Sequence, residues 1–245
     1  MLCKSLDPAP RDSRPVATVF TLRFVEELLP KSAKILEVGC GLGHLAALLT
    51  DLGHDILAID TSESAVQTAK RRRIRAEQTS IEGVEEKNFD SVLFTRSLHH
   101  IHPIGSCLDK TKEILRPGGS IIIEDFGYDL MDDSTAIWYQ GLRNSLAPII
   151  KQEDWVAPQG EALKHWMEHH SSEHQLHKAT DLEQEVGKRF SNVRVVRNLP
   201  YLFRYFIGKD ELPRETVDAI FQWEQKLISD GSIKGIGLRI VGSNP

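Results

Sequence analysis

The sequence is short of cysteine, short of tryptophan and tyrosine, without a long hydrophobic run and without a strong charge of either sign. The three cysteines, Cys3, Cys40 and Cys107, are an odd number in 245 residues and lack metal-type spacing. Neither a disulfide framework nor a zinc centre is indicated. The opening Met1-Leu2-Cys3-Lys4 carries no apolar signal core, so a reducing cytoplasmic setting is expected. No apolar stretch approaches the ~20 residues that cross a bilayer, and no membrane span is expected. Lys and Arg number 30 against 35 Asp and Glu, a formal net charge of −5. Such a chain is a poor match for a nucleic-acid backbone and fits a small-molecule partner better. The rest, 40% hydrophobic and 27% charged, suits one globular domain with a substantial core.

The most informative stretch is Ile35-Leu36-Glu37-Val38-Gly39-Cys40-Gly41-Leu42-Gly43-His44-Leu45. A short apolar run carries one carboxylate, breaks into alternating glycines, and resumes an apolar pattern at helical spacing. The order is strand, tight turn, helix. Glycines at every second position let a ligand lie directly against main chain, facing the free N–H groups of the helix that follows. A dinucleotide fingerprint would need its third glycine where His44 stands. Glu37 would also repel a pyrophosphate, whereas it suits a ligand with an ammonium. A second apolar run, residues 56–59, ends in Asp60, with Thr61 or Ser62 placed to cap the next helix. A carboxylate at a strand's carboxyl end can accept both hydroxyls of a ribose, which favours an adenosine without choosing the cofactor.

The remaining chain alternates. Residues 1–15, with Pro8, Pro10 and Pro15, read as an extended lead-in. A helical stripe over residues 16–29 stops at Pro30 and could pack over the glycine loop. The basic run Lys70-Arg71-Arg72-Arg73 reads as a solvated helix end opposing the dipole's negative pole. Phe89-Asp90-Ser91-Val92-Leu93-Phe94-Thr95 reads as a strand and leads into Ser97-Leu98-His99-His100-Ile101-His102-Pro103. Residues 108–115 form a helix that Arg116-Pro117-Gly118-Gly119 stops ahead of a strand over 120–123. Residues 129–190 carry Trp138, Tyr139, Trp155 and Trp166 at helical spacings, with His165, His169, His170, His174 and His177 expected on a solvated helix face. No metal is expected from these histidines or from the three at 99, 100 and 102. A sixth strand over 190–196, an amphipathic helix over 215–228 and a strand over 236–241 close the chain.

Four motifs in order over residues 34–126 resemble the class I S-adenosylmethionine (SAM) methyltransferases, and among them the small-molecule enzymes of ubiquinone and menaquinone biosynthesis. They are Glu37-x-Gly39-x-Gly41-x-Gly43, the segment around Ser80, the Phe89-Asp90 strand with its Leu98-His99-His100 close, and Leu115-Arg116-Pro117-Gly118-Gly119. The resemblance implies an α/β Rossmann-like fold: a seven-stranded, mostly parallel sheet with an antiparallel last strand, helices on both faces and a helical lid insertion. It implies one domain, divided into an extension and helix (1–33), a SAM-binding core (34–128), the lid (129–190) and C-terminal strands and helix (191–245). It implies SAM as cofactor, held by Glu37, Gly39, Gly41, Gly43, Asp60, Ser80, Ile81 and Thr95. Ser80 stands where the family commonly has an Asp for the adenine amino group, a departure that leaves a neutral acceptor. The implied reaction moves a methyl group to an O, N or C nucleophile of a small molecule, with His100, and after it Asp125, as the base. Two alternatives remain: a protein of this fold that binds SAM without turnover, and an NAD-dependent oxidoreductase. The methyl acceptor and the oligomeric state are not legible.

Overall fold

The computed structural model describes residues 16–150, 160–207 and 212–245. The expected lead-in over residues 1–15 and Trp155 lie outside the described residues. Helix α1 (Val16–Glu26) precedes β1 (Lys34–Val38), α2 (His44–Asp51), β2 (Asp55–Asp60), α3 (Glu63–Arg71) and β3 (Arg75–Gln78). Next come β4 (Phe89–Thr95), α4 (Ile104–Ile114) and β5 (Leu115–Phe126). Helices α5 (Asp133–Ile150), α6 (Ala162–Glu168) and α7 (Ala179–Arg189) follow, then β6 (Ser191–Leu199), α8 (Arg214–Ser229) and β7 (Gly237–Ser243). No helix among the described residues is long and apolar enough to cross a membrane.

The seven strands form one sheet in the order β3-β2-β1-β4-β5-β7-β6. Neighbours from β3 through β5 are parallel, whereas β7 runs antiparallel to both β5 and β6. This is the mostly parallel sheet with a reversed last strand that the motif order implies. Strand order reverses beside β1, so the carboxyl ends of β1 and β4 border a crevice, the place where open α/β sheets bind ligands. Alternate residues of each strand serve opposite faces. Leu36, Val38, Leu57 and Ile59 pack with Leu108, Leu182 and Val186, whereas Ile35, Ile56 and Ala58 pack with Val25, Ala46, Leu49 and Val66. Burial on both faces explains why these strands read as apolar runs and not as alternating ones. The Oγ of Ser62 accepts a hydrogen bond from Ala65 N at 3.3 Å, a cap worth about 1 kcal/mol.

Two boundaries differ from the sequence reading. Arg116-Pro117-Gly118-Gly119 does not precede the strand; it lies within β5 as an irregularity, where pairing jumps from Phe89 with Leu115 to Ser91 with Ser120. Gly118, at φ +72°, supplies the backbone turn that lets the strand resume register. The segment 129–190 is also not one insertion. Helices α5 and α6 gather with Tyr201, Phe203, Phe206 and Phe221 in an aromatic cluster above the sheet's carboxyl edge. Helix α7 covers the sheet instead, because Ala179, Leu182 and Val186 make the same apolar stripe as the other flanking helices.

Candidate functional site

The glycine loop is fixed by its neighbours. Gly39 N and Cys40 N donate to Ile59 O at 2.8 and 3.0 Å, folding the loop over the end of β2. A Cβ on Gly39, at φ +73°, would lie 2.5 Å from the Ser97 Cβ. Gly41, at φ +52°, differs: nothing stands within 4 Å of the position a Cβ would take. It borders a cavity. Gly41 N donates to Asp60 Oδ2 at 2.8 Å, and Asp60 Oδ1 accepts from Ser62 N at 2.9 Å, so the carboxylate ties the loop to the start of α3. Gly43 is closed in by Ala69 and Ile74, which fixes α2 against α3.

The first cavity, about 420 Å³, is lined by Glu37, Gly39, Cys40, Gly41, Thr95 and Arg96 at the strand ends, with Thr18 and Thr21 of α1 above and Arg204 at one side. The first helix does therefore roof the glycine loop. Glu37 is 2% exposed. Its Oε1 accepts from Thr95 Oγ1 at 3.3 Å, while its Oε2 is buried with no hydrogen-bond partner. Burial pushes its pKa up to about 7, against the opposing pull of the Arg96 charge and the Thr95 hydroxyl. Ser80 is exposed, at the start of the short turn Ile81–Gly83, and Ile81 sends its side chain into the core on the α4 face. Neither lines the cavity, and the same holds for Gly43 and Asp60.

A second cavity, about 380 Å³, adjoins the first through Arg96 and Arg204, which line both. Phe126, Tyr201, Tyr205, His99, His100, His169, His170 and His174 form much of its wall. His100 stands exposed at its edge, with a pKa lowered by partial burial and the neighbouring His99. Asp125, expected to face a substrate, corrects the sequence reading: it is 0% exposed and lines neither cavity. Its Oδ1 lies 2.5 Å from His99 Nδ1 and accepts from Phe126 N at 2.9 Å, and its Oδ2 accepts from His99 N at 3.3 Å. His99, absent from the sequence candidates, is the residue that Asp125 orients. Leu98–His100 is a short 3₁₀ turn, where neither strand nor α-helical period tells which of two adjacent histidines points inward.

The histidines expected on a solvated face are a second correction. His170 is 4% exposed, and its Nδ1 bonds the Trp166 carbonyl at 2.8 Å. His169 and His174 join it in the cavity wall, while His177 Nε2 donates to Ile101 O at 2.9 Å. The chain passes through a π-turn at His169–Glu173, which shifts the face that a regular helix would present. Burial pushes the pKa of His170 down to about 4. Between the cavities, the buried Glu124 accepts from Thr21 Oγ1 (2.5 Å), from Arg204 (2.6 Å) and twice from Arg239 (3.0 and 2.7 Å). Burial alone would raise its pKa, but Arg204, Arg239 and Arg96 hold it below the usual range.

The comparison with known families decides what the crevice belongs to. Residues 13–189 match the family described as "Methyltransferase domain". The chain belongs to the methyltransferase-domain family. Among curated relatives of this methyltransferase, it is 31% identical over 102 residues to the mitochondrial ubiquinone biosynthesis O-methyltransferase of Homo sapiens, covering 37% of this chain and 28% of that protein. It is 26% identical over 123 residues to the demethylmenaquinone methyltransferase of Beutenbergia cavernae, covering 48% of this chain and 51% of that protein. The chain thus spans about half or less of the curated relatives it matches.

Solved structures agree on the fold. Phosphoethanolamine N-methyltransferase 2 of Haemonchus contortus, in complex with SAM, superposes with a TM-score of 0.60 at 15% identity, covering 94% of this chain and 53% of that one. A SAM-dependent methyltransferase of Thermotoga maritima gives 0.53 at 18% identity, covering 94% and 89%. The family membership sets aside the dinucleotide-oxidoreductase alternative, and the residues present fit SAM. The orphaned Glu37 Oε2 is an acceptor awaiting an ammonium, and the open side of Gly41 leaves main chain bare.

Proposed function

We propose that this methyltransferase-family chain transfers the methyl group of SAM to an O, N or C nucleophile of a small molecule, with His99 as the base wherever that nucleophile is protonated. The observation that carries the reading is the junction at Arg96 and Arg204. On one side lie glycine main chain and an unpartnered carboxylate; on the other lies a histidine backed by a buried carboxylate. The names of the curated relatives, which act in ubiquinone and menaquinone biosynthesis, support a small-molecule acceptor.

Glu37 would receive the cofactor's ammonium, Gly39 and Gly41 its methionine end, and Asp60 its sugar. Bound SAM supplies a methyl group already activated on a cationic sulfur. The protein's own contribution is alignment, exclusion of water and acceptance of a proton. Thr18 and Thr21 of α1 close the roof of the cofactor cavity. A carboxylate can only accept, so the proton between His99 Nδ1 and Asp125 sits on the imidazole, and Nε2 keeps its lone pair. Nε2 meets no protein partner among the described residues, on a ring that lines the acceptor cavity. It takes the nucleophile's proton, and Asp125 stabilises the imidazolium that results.

Calorimetry with S-adenosylhomocysteine, followed by incubation with methyl-labelled SAM and a metabolite extract, tests the proposal. Binding of S-adenosylhomocysteine and transfer of label to a small acceptor are expected, and Asp60→Ala should weaken the binding markedly. Binding with no transfer to any acceptor would mean a protein that senses SAM without turnover. No binding at all would overturn the reading.

A further inference from the structure

The charge at the junction is unbalanced. Arg96, Arg204 and Arg239 surround the single carboxylate of Glu124, whose hydrogen bonds come from Arg204, Arg239 and Thr21. Arg96 is left over: its Nη1 lies 3.8 Å from Glu124 Oε1 and donates only to Thr21 Oγ1, at 3.2 Å. The rest of its guanidinium meets no protein acceptor among the described residues, and its side chain is 37% exposed into the crevice region. Its backbone sits at φ +66°, a left-handed conformation that is uncommon for a residue other than glycine and that collects at functional sites. Nothing answers this charge from the cavity side, because the wall of the second cavity carries no carboxylate. Its histidines do not change the sign: His100 and His170 have pKa values pushed down to about 4 and are neutral at physiological pH.

The remaining wall is built of rings. Phe126 and Tyr201 stack at 4.4 Å with an interplanar angle of 18°, and His99 meets the Phe126 edge at 4.8 Å. A cavity of about 380 Å³ lies toward the small end of small-molecule sites, which run from ~300 to 1,000 Å³. A flat, compact body suits such walls, and an anionic group suits the free guanidinium, which binds carboxylate through paired N–H donors.

We propose that the methyl acceptor is a small aromatic acid, whose carboxylate is taken by Arg96 at the junction while its nucleophile faces His99. The inference rests on the methyltransferase reading above and narrows its acceptor. A cationic amine is disfavoured at the same place, since it would stand beside an unneutralised arginine with no acidic group in the wall.

The test uses the full chain saturated with S-adenosylhomocysteine and three probes that share one ring and one phenol: 4-hydroxybenzoate, 4-hydroxybenzamide and 4-hydroxybenzylamine. By calorimetry the acid should bind about tenfold or more tightly than the amide, and the amine no more tightly than the amide. Raising salt should weaken the acid and leave the amide unchanged. Arg96→Gln should erase the preference for the acid. The salt series on the unaltered protein stands independently should that variant fail to fold. Equal affinity for acid and amide, an acid preference that survives Arg96→Gln, or no binding by any probe would each overturn the proposal. Binding of S-adenosylhomocysteine is measured first: its absence would sink the methyltransferase reading, whereas its presence without an acid preference would sink the aromatic acid alone.

Discussion

His99 Nδ1 lies 2.5 Å from Asp125 Oδ1, a contact between the turn that follows β4 and the carboxyl end of the adjacent β5. The pair divides one task, since Asp125 fixes the tautomer and His99 presents the free nitrogen. His99→Gln should lower kcat by about 10²-fold or more on a protonated nucleophile. Asp125→Asn, nearly isosteric, should lower it less. His99 lies outside the cofactor cavity, so binding of S-adenosylhomocysteine should stay within a few-fold for both variants. A full-rate His99→Gln enzyme would remove the base from the mechanism.

Glu37 couples pH to both stability and cofactor binding, with opposite signs. Its pKa is raised from 4.5 to about 7 by burial. Between those values the unfolded chain ionises this group while the folded chain does not, so the unfolded state holds fewer protons. Stability of the ligand-free protein therefore falls from this source as pH rises from 4.5 to about 7, by at most about 3 kcal/mol. Affinity for an ammonium-bearing ligand rises over the upper part of the same range. Glu37→Gln should raise the melting temperature of the ligand-free protein near pH ~8 and weaken and flatten the pH dependence of S-adenosylhomocysteine binding. Melting curves and calorimetry at several pH values check both arms.

The two glycines nearest the ligand should separate folding from binding. Gly39→Ala sets a Cβ 2.5 Å from that of Ser97 at a positive φ, and should cost about 2 kcal/mol or more of stability. Gly41→Ala meets open space, so its structural cost is the left-handed strain alone, about 1 kcal/mol. Its methyl group projects where the cofactor would lie against main chain. Urea unfolding should rank Gly39→Ala as the less stable variant, and calorimetry should show a loss of S-adenosylhomocysteine affinity for Gly41→Ala out of proportion to its unfolding energy.

Glu124 holds α1, β5, β7 and the turn at Leu202–Phe206 together through Thr21, Arg239 and Arg204. Glu124→Ala leaves the buried Arg204 and the largely buried Arg239 without their carboxylate. The loss should be about 3–5 kcal/mol, read by urea unfolding. A loss below about 1 kcal/mol would mean that water replaces the carboxylate at little cost.

Much of this was written in the chain locally. The glycine spacing predicted a strand, turn and helix, and the structure has β1, the loop and α2 there. The capping role of Ser62 was readable because a cap acts on its own first turn. The apolar runs around residues 35, 56 and 92 were readable because a strand buried on both faces leaves no polar alternation. The histidines were not. His170 enters the cavity only because a π-turn displaces it and Trp166, Tyr205 and Phe126 close around it.

The sequence by itself determined the order of elements and the place of the glycine loop, because both depend on backbone conformation and on periods of two and of about 3.6 residues. Only the tertiary structure decided that Asp125 serves His99 and not a substrate. It alone brought Arg204 beside Arg96, and left Arg96 without a carboxylate of its own. Those outcomes depend on which buried charges meet across distant strands and turns, and pairing of that kind leaves no local period in the chain.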